Sequence, residues 1–348
     1  METFDLLDGQ VNGLLPVIQL EVQALLNSPA TATFTCHVRD VPQTDVWPRL
    51  RGIGVTWYGR PIWVGFVDAV RASSGGTMEI GAVSMDGYLA HRILRTTQNY
   101  QNTDLCQIGV DLVGLGTVAP APLLTATATG TCAVEDRIYS AEDRPLIGDL
   151  VNNLVVAPSA PDYRLIPQRT AGVWSAVMDF QPQVGRLRRV PLRSNVHAAS
   201  YGLDVDGADL ANYVDAQAGQ KEALAQDVEP GWVRWDAAPT FTEGIGQNRL
   251  DQLSQQYLDT FGGPAATPAV QIPGDLYDRD VEPGDTLERL VLDHPRGICF
   301  DGQARVLGVT WQATPDAPDV RDLILFTPRD AVQDAIFDAP CSTYCADC

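Results

Sequence analysis

The residues with the clearest chemical potential lie at the end of the sequence, where three cysteines follow one another closely. Cys341, Cys345 and Cys348 are spaced C-x3-C-x2-C in the segment CSTYCADC. Three thiolates at this spacing can face one zinc ion or one iron–sulfur cluster, because both take sulfur ligands. Cys299, Cys132 or a residue of another subunit could supply a fourth ligand, and the alternatives are a disulfide between two of the three or free thiols.

The other cysteines are dispersed and form no local ligand motif. Their positions are Cys36, Cys106, Cys132 and Cys299. The first ten residues, METFDLLDGQ, are acidic where a secretion signal is basic, and the apolar stretch after them is interrupted by Pro16 and Glu21. We therefore expect neither a secretion signal nor a membrane span. In that setting dispersed cysteines are more often buried thiols than disulfides, and we expect buried thiols here.

No enzyme motif accompanies the cysteines. The sequence contains no H-E-x-x-H, Walker A or G-x-S-x-G motif. Its four histidines, none in a helical i,i+4 pair, are His37, His91, His197 and His294. The acidic segments Asp204–Asp209 and Asp278–Asp285 lack the twelve-residue loop and closing glutamate of an EF-hand, so turns explain them better than calcium sites. We predict a protein that is not an enzyme.

The charge of the chain restricts its partners. With a net charge of −20 the chain would repel phosphate backbones, so binding in a nucleic-acid groove is not expected, although a DNA duplex could pass without adhering. One basic run stands out, and it contains Arg186, Arg188, Arg189 and Arg193. A solvated strand or a salt-bridged face is the simpler interpretation of this run, and an interface with an acidic neighbour is the alternative.

The strands that would position any site are clearest in the stretch Ile53–Leu94. Alternating apolar residues in GIGVTW are followed by a turn and by Ile62–Val70, a run that is apolar on both faces, and this pattern predicts a β-hairpin. A third strand is predicted over Met78–Val83, after which Asp86 is predicted to cap a helix. With the alternating segment Thr33–Val38, four or five antiparallel strands result, enough for a small barrel or sandwich.

The apolar period changes to about three and a half residues between Asp86 and roughly Pro158, which predicts helices. The two apolar stripes are Leu105, Ile108, Leu112 and Leu115, and Leu146, Leu150 and Leu154. Thr117–Gly130, between the stripes, is rich in Thr, Ala and Pro, so we expect an exposed loop or an extended arm there.

The second half repeats this pattern of strands and a helix. Strands are predicted over Tyr163–Ile166 and Val173–Phe180, and a later helix is predicted to end at Gly262. A glycine lies in the middle of a strand-like run at Gly65 and again at Gly308, and a final strand follows each at the same spacing. Such glycines often mark a bulge or a sharp bend. We infer two related β-domains in one chain.

Four segments together carry a resemblance to a known class of proteins. RPIWVGFVDAV, SMDGYLAHRIL, DVEPGDTLERLVLDH and RVLGVTW resemble, in order and phrasing, the tail hub or minor tail proteins of long-tailed, siphovirus-type phages that infect actinobacteria. Those hubs are similar to the baseplate hubs of contractile phages. The likeness extends over most of the chain and brings no catalytic signature with it.

The resemblance implies a fold and a set of partners. It implies a mainly β (α+β) chain with two tail-tube-like β-barrel domains plus a helical or mixed layer. The implied domains are 1–85 (first β-domain), 86–160 (inserted helical layer), 161–199 (strands returning to the first β-domain), 200–330 (second β-domain with an inserted helix at 246–262) and 331–348 (cysteine tail). The implied assembly is a homotrimer in the virion, at the distal tail, that adapts a sixfold tube to a threefold tip. Implied partners are the tail tube or distal tail protein, fibre or spike proteins and the tape measure protein, with DNA passing through and no membrane contact.

Some hubs hold an iron–sulfur cluster near the C-terminus, and the resemblance would give Cys341, Cys345 and Cys348 that role. Two other functions remain open. A tail-tip module that binds host-surface glycans could use exposed tryptophans as stacking platforms, although their apolar strand contexts favour core packing. The candidates are Trp57, Trp63, Trp232, Trp235 and Trp311. A peptidoglycan-cleaving tail enzyme is the third reading, but no motif indicates its catalytic residue.

Overall fold

The fold is mainly β, as the sequence predicts. In the computed structural model about 53% of the chain is in strands and few helices occur. The structure describes residues 1–41, 46–156, 160–206, 210–228, 233–241, 246–262, 265–273, 280–292 and 300–327. The chain divides into two compact units. The first comprises Met1–Arg186, Asp278–Asp285 and Leu307–Asp322, and the second holds the described residues of Leu187–Tyr277, Thr286–Val306 and Leu323–Cys348.

The described residues of the first unit form twelve complete strands and two α-helices. The strands are β1 (Glu2–Asp5), β2 (Val11–Leu14), β3 (Gln19–Leu25), β4 (Thr31–His37), β5 (Arg51–Trp57), β6 (Arg60–Ala72), β7 (Thr77–Ser84), β8 (Gln98–Asp104), β9 (Leu124–Ala128), β10 (Val134–Tyr139), β11 (Asp162–Thr170) and β12 (Val173–Gln181). The helices are α1 (Leu105–Gly116) and α2 (Ile147–Val156). Its main sheet runs β3-β4-β7-β6-β5-β1-β2, beside a β8-β10 ribbon and a β11-β12-β9 sheet.

The predicted hairpin is confirmed. β5 pairs antiparallel with β6, and β6 pairs antiparallel with β7, which covers the third predicted strand. Gly54 of β5 lies against the indole of Trp174, where an added methyl would come within 2.2 Å of the ring. The register shift in β6 falls between Val67 and Ala69 rather than at Gly65, so the bulge expected at that glycine lies a few residues further along.

The two predicted helices are also confirmed, and they build the core of the first unit. Asp104 is the N-cap of α1, and its side chain accepts a hydrogen bond from the backbone N–H of Cys106 at 2.8 Å. The predicted stripe residues Ile108 and Leu112 are fully buried. They share one apolar cluster with the α2 stripe and with Phe180 of β12, so burial of both stripes fixes the helices in place.

Two predictions in this region are wrong. Asp86 does not cap a helix: the 3-10 helix Met85–His91 has Ser84 at its N-cap, and no side chain caps it. For Thr117–Gly130, predicted as an exposed loop or an extended arm, the loop is wrong over Leu124–Ala128: these residues are extended and form strand β9, which pairs in parallel with β12. The alternation of Thr and Ala suits a strand, and Thr127 donates a hydrogen bond to Asp179 of β12 at 3.2 Å, so long-range pairing overrides a loop-like composition.

The described residues of the second unit form eight complete strands and two α-helices. The strands are β13 (Leu187–Arg188), β14 (Leu192–Arg193), β15 (Ser200–Asp206), β16 (Tyr213–Ala218), β17 (Lys221–Gln226), β18 (Asp236–Ala237), β19 (Ala265–Pro273) and β20 (Thr286–Leu292). The helices are α3 (Ser194–His197) and α4 (Gln247–Phe261), and α4 confirms the helix predicted before Gly262. Strands β21 (Phe300–Thr314) and β22 (Ala317–Phe326) carry residues 307–322 of the first unit and contribute their other residues to the second.

In the second unit, as in the first, a helix packs its apolar side chains against strands, but the apolar cluster is smaller. α4 lies on the β16–β17 hairpin, and its Leu250 and Leu258 share an apolar cluster with Val214 and Ala216 of β16. β20 pairs antiparallel with β21 and parallel with the short strands β13 and β14. The basic run of the sequence therefore lies along one side of β20.

Candidate functional site

The sequence-predicted ligands at the C-terminus, Cys341, Cys345 and Cys348, lie outside the described residues, and so does Cys299. Of the dispersed cysteines, Cys36 is a buried free thiol as predicted, and burial raises its pKa. The structure therefore does not test the terminal cysteines as ligands.

The prediction of buried thiols is wrong for the remaining pair. Cys106 and Cys132 are joined by a disulfide between the first turn of α1 and the segment before β10. The sequence signal that favoured thiols was the apparent absence of export. It says nothing about which cysteines the fold brings together, and these two are separated by 26 positions.

Asp104 lies beside this disulfide, and one carboxylate oxygen and the two sulfur atoms all lie within 4.8 Å of one another. The group has the composition of a metal site, but its ligand atoms are engaged. The sulfurs bond to each other, and the two carboxylate oxygens accept the backbone N–H groups of Cys106 at 2.8 Å and Cys132 at 2.9 Å. The arrangement therefore caps α1 and fixes the segment that leads into β10.

A cavity of about 360 Å³ opens in the first unit. Apolar side chains of β6, β11 and β21 line it, among them Ile62, Trp63, Leu165 and Trp311. Its polar lining contains arginines and carboxylates but no histidine, lysine or cysteine. Residues from seven separate stretches of the sequence meet here.

Ion pairs link several of the charged groups at this cavity. Glu282 accepts hydrogen bonds from Arg60 and, at 2.6 Å, from Nη1 of Arg164, while Arg60 also contacts Asp280 at 2.7 Å. Asp285 closes the same segment: its carboxylate accepts the backbone N–H groups of Arg186 at 2.8 Å and Glu282 at 3.1 Å. For Asp285 the predicted turn role is confirmed.

The inner wall of the cavity holds the buried Asp86. Tyr163 donates its hydroxyl to Asp86 at 3.2 Å, and Ser84 donates to the other carboxylate oxygen while accepting the N–H of Ala30 at 2.7 Å. Burial raises the pKa of Asp86, and burial together with the neighbouring carboxylate raises that of Tyr163 well above its usual value. The network therefore ties β7 to β11.

The tryptophans divide between core and surface. Trp63 and Trp311 are buried, which confirms core packing for these two, and Trp57 is half-buried. Trp235 is 55% exposed, against the prediction, and Trp232 lies outside the described residues. Trp174, which the sequence did not single out, is the largest fully buried side chain.

The basic run becomes a surface feature of the second unit. We call Leu187–His197 the arginine ridge: it carries three arginines and no carboxylate. Arg189 and Arg193 are exposed, and neither guanidinium forms an ion pair within the described part of the chain. The salt-bridged face predicted as one interpretation therefore does not describe these two arginines.

The chain is similar to known proteins in its fold and not in its sequence. No family model matches the chain, and no curated protein matches it. Solved structures that match over nine-tenths or more of its length include phage tail proteins and a type VI secretion component. In the described residues, no helix is both long and apolar enough to cross a membrane.

Three solved structures illustrate the similarity. The 43 kDa tail protein of prophage MuSo2 from Shewanella oneidensis is 12% identical, with a TM-score of 0.66 and coverage of 95% of this chain and 98% of that one. A tail protein from Neisseria meningitidis is 13% identical, with a TM-score of 0.63 and coverage of 94% and 96%. An Escherichia coli type VI secretion component, itself structurally similar to T4 tail proteins, is 16% identical, with a TM-score of 0.52 and coverage of 90% and 73%. At these identities the likeness is one of fold.

Proposed function

We propose that this protein is a structural subunit of a phage tail, and specifically a homotrimeric hub at the distal end that joins the sixfold tail tube to a threefold tip. The observation that carries the proposal is fold similarity over more than nine-tenths of the chain to tail proteins from Neisseria meningitidis and Shewanella oneidensis. The type VI component extends the likeness to a protein compared with T4 tail proteins. In the proposal, the chain's two β-domains resemble tail-tube subunits, so that three chains present six such domains.

Electrostatics support a role in conducting DNA. The net charge of −20 disfavours adhesion of a polyanion, which suits a channel through which a genome moves. The proposed neighbours are the tail tube or distal tail protein, the tape measure protein and fibre or spike proteins.

The mass in solution tests the trimer. Three copies of the 37.7 kDa chain give about 113 kDa by size exclusion with multi-angle light scattering. A protein that stays monomeric at every concentration, up to the concentration it reaches in an extract of assembled tails, would contradict the proposal. Negative-stain images of the trimer should show threefold symmetry.

The terminal cysteines enter the proposal as ligands for zinc or an iron–sulfur cluster, since thiolates suit both. Metal analysis and visible absorbance of the trimer peak test this. The expected result is stoichiometric iron or zinc that is lost in a Cys345→Ser variant, and a metal-free wild-type protein purified without oxygen would contradict it.

One observation favours a second candidate, binding of host-surface glycans. Trp235 is 55% exposed, and the neighbouring Arg234 guanidinium lies 3.3 Å from the ring centroid of Tyr213. An exposed indole beside a stacked pair can pack against a sugar ring. Retention of the protein on host cell-wall polysaccharide, and its loss in Trp235→Ala, would support this candidate. Equal retention of both proteins would contradict it.

A further inference from the structure

The arginine ridge combines charge with exposed apolar groups. Besides Arg189 and Arg193, it exposes Leu187, Val190 and Val196, and Val190 is 58% exposed. In the first unit, Arg49 contacts Asp68, whereas Arg95 and Arg144 are exposed and form no ion pair among the described residues. Unpaired cations among exposed aliphatic side chains are costly to keep in water unless a partner covers them, so the ridge has the character of an interface.

A second surface has the opposite charge. The β8–β10 ribbon turns Tyr100 and Tyr139 inward, where their rings meet edge to face and burial raises the pKa of Tyr100 to about 12. The other face of β10 exposes Val134, Asp136 and Ile138, and Ile138 is 71% exposed. A solvated strand face is usually polar, so two aliphatic residues on it are unexplained by the fold of one chain.

Exposed carboxylates lie on β10 and in the segment that follows it. Val134–Arg144 carries four carboxylates and two arginines. One of the arginines, Arg137, pairs with Glu135 at 2.7 Å, which leaves the remaining charge acidic. Asp136, Glu142 and Asp143 are exposed. The ribbon and the ridge therefore match in chemistry: each exposes aliphatic groups, one among carboxylates and the other among arginines.

We propose that the arginine ridge of one copy binds the exposed face of the β8–β10 ribbon of a second copy. Such a contact is heterologous, because it joins two different surfaces, and heterologous contacts close into rings when the rotation between copies permits. Every copy carries one ridge and one ribbon, so each copy in a ring makes both contacts. The inference rests on the proposed trimer for the number of copies, and it specifies which surfaces hold them together.

Charge reversal tests the contact. In the ridge variant, Arg189→Asp and Arg193→Asp place carboxylates opposite carboxylates. Like charges across an interface oppose association, so we expect the ridge variant to dissociate at concentrations on the order of 10 to 100 times higher than wild type. The ribbon variant, Glu142→Arg with Asp143→Arg, should weaken self-association similarly. Combining all four substitutions should recover the wild-type mass.

A matched control changes the same amount of charge elsewhere. Arg39→Asp with Arg71→Asp alters two arginines whose side chains are 82% and 81% exposed, and it should leave the trimer intact. Ile138→Ser probes the apolar part of the contact without a change of charge and should also weaken the trimer. Circular dichroism of each variant checks that it is folded.

The outcomes separate this inference from the hub proposal. A wild-type monomer would contradict the trimer and this contact together. If wild type is a trimer and the folded ridge variant is an equally stable trimer, only the proposed contact is overturned. The contact is also overturned if the variant with all four substitutions stays dissociated. We expect the ridge, ribbon and Ile138→Ser variants to lose association. We expect the variant with all four charge substitutions to recover it.

Discussion

Charged groups are arranged in opposite ways around Glu2 and Glu282 of the first unit and on the arginine ridge. In the first unit Glu282 contacts both Arg60 and Arg164, and Glu2 binds Arg169 at 2.7 Å. On the ridge, Arg189 has no ion pair within the described residues. The comparison teaches that one set of charges holds distant segments of the chain together, whereas the other remains available to a partner.

Glu2 shows how the first arrangement works. It accepts two hydrogen bonds from Arg169, at 2.7 and 2.8 Å, and one from the indole N–H of Trp174 at 2.7 Å. The hydrogen bonds from Arg169 lower the pKa of Glu2 although burial opposes the shift. A residue of β1 thereby anchors β11 and β12, which lie more than 160 positions away in the sequence.

Removing the ring at the centre of this arrangement should have the largest effect on folding. Trp174→Ala deletes a fully buried side chain that stacks on Phe4 and packs on Gly54, so the free energy of unfolding should fall by about 3–5 kcal/mol. Urea unfolding followed by circular dichroism measures the loss. Val190→Ala on the ridge is the control and should change stability little, and equal losses in the two variants would erase the distinction between the regions.

Removing the carboxylate should have a smaller effect with a characteristic pH dependence. Glu2→Ala leaves the buried indole N–H of Trp174 unpaired and should cost about 1–3 kcal/mol at neutral pH. Because the folded-state pKa of Glu2 is lowered, its stabilisation is present above the unfolded-state pKa of about 4.3 and is lost as the pH falls through the folded-state value. The difference in unfolding midpoint between the variant and wild type should therefore be smaller at pH 3 than at pH 7.

Asp86→Asn should change stability less, and its pH dependence should have the opposite sign. The folded-state pKa of Asp86 is raised, so its favourable contribution is complete below the unfolded-state pKa of about 3.9 and is lost as the pH rises through the folded-state value. Asn keeps the shape, and the hydroxyls of Ser84 and Tyr163 can donate or accept. The thermal unfolding temperature of the variant, relative to that of wild type, should rise between pH 4 and pH 8. A constant difference would show that Asp86 does not titrate in this range.

The ridge variant, Arg189→Asp with Arg193→Asp, should have the smallest effect on folding. Exposed charges without partners contribute within about 0.5 kcal/mol, so the unfolding midpoint of the dissociated protein should match that of wild type at equal monomer concentration. A loss above 1 kcal/mol would mean that these arginines stabilise the chain itself, and the comparison of the two regions would need revision.

Local patterns in the sequence predicted much of the fold. The alternation in β5 and β6 identified their hairpin, and the apolar stripe of α4 identified that helix and its end at Gly262. In each case the residues that form the element are neighbours in sequence, so periodicity reports them directly. The basic run was likewise visible, together with the alternative that it contacts an acidic neighbour.

Contacts between distant segments were decided only by the tertiary structure. Composition left both a loop and an extended arm open for β9, and parallel pairing with β12, about 50 positions away, made it a strand. The Cys106–Cys132 disulfide, the burial of Asp86 and the salt bridge from Arg60 to Glu282 also depend on which segments the fold brings together. A sequence fixes the period of each element because side chains of one element share a backbone. Which distant segments contact one another is set by packing, and small free-energy differences among many competing arrangements determine the outcome.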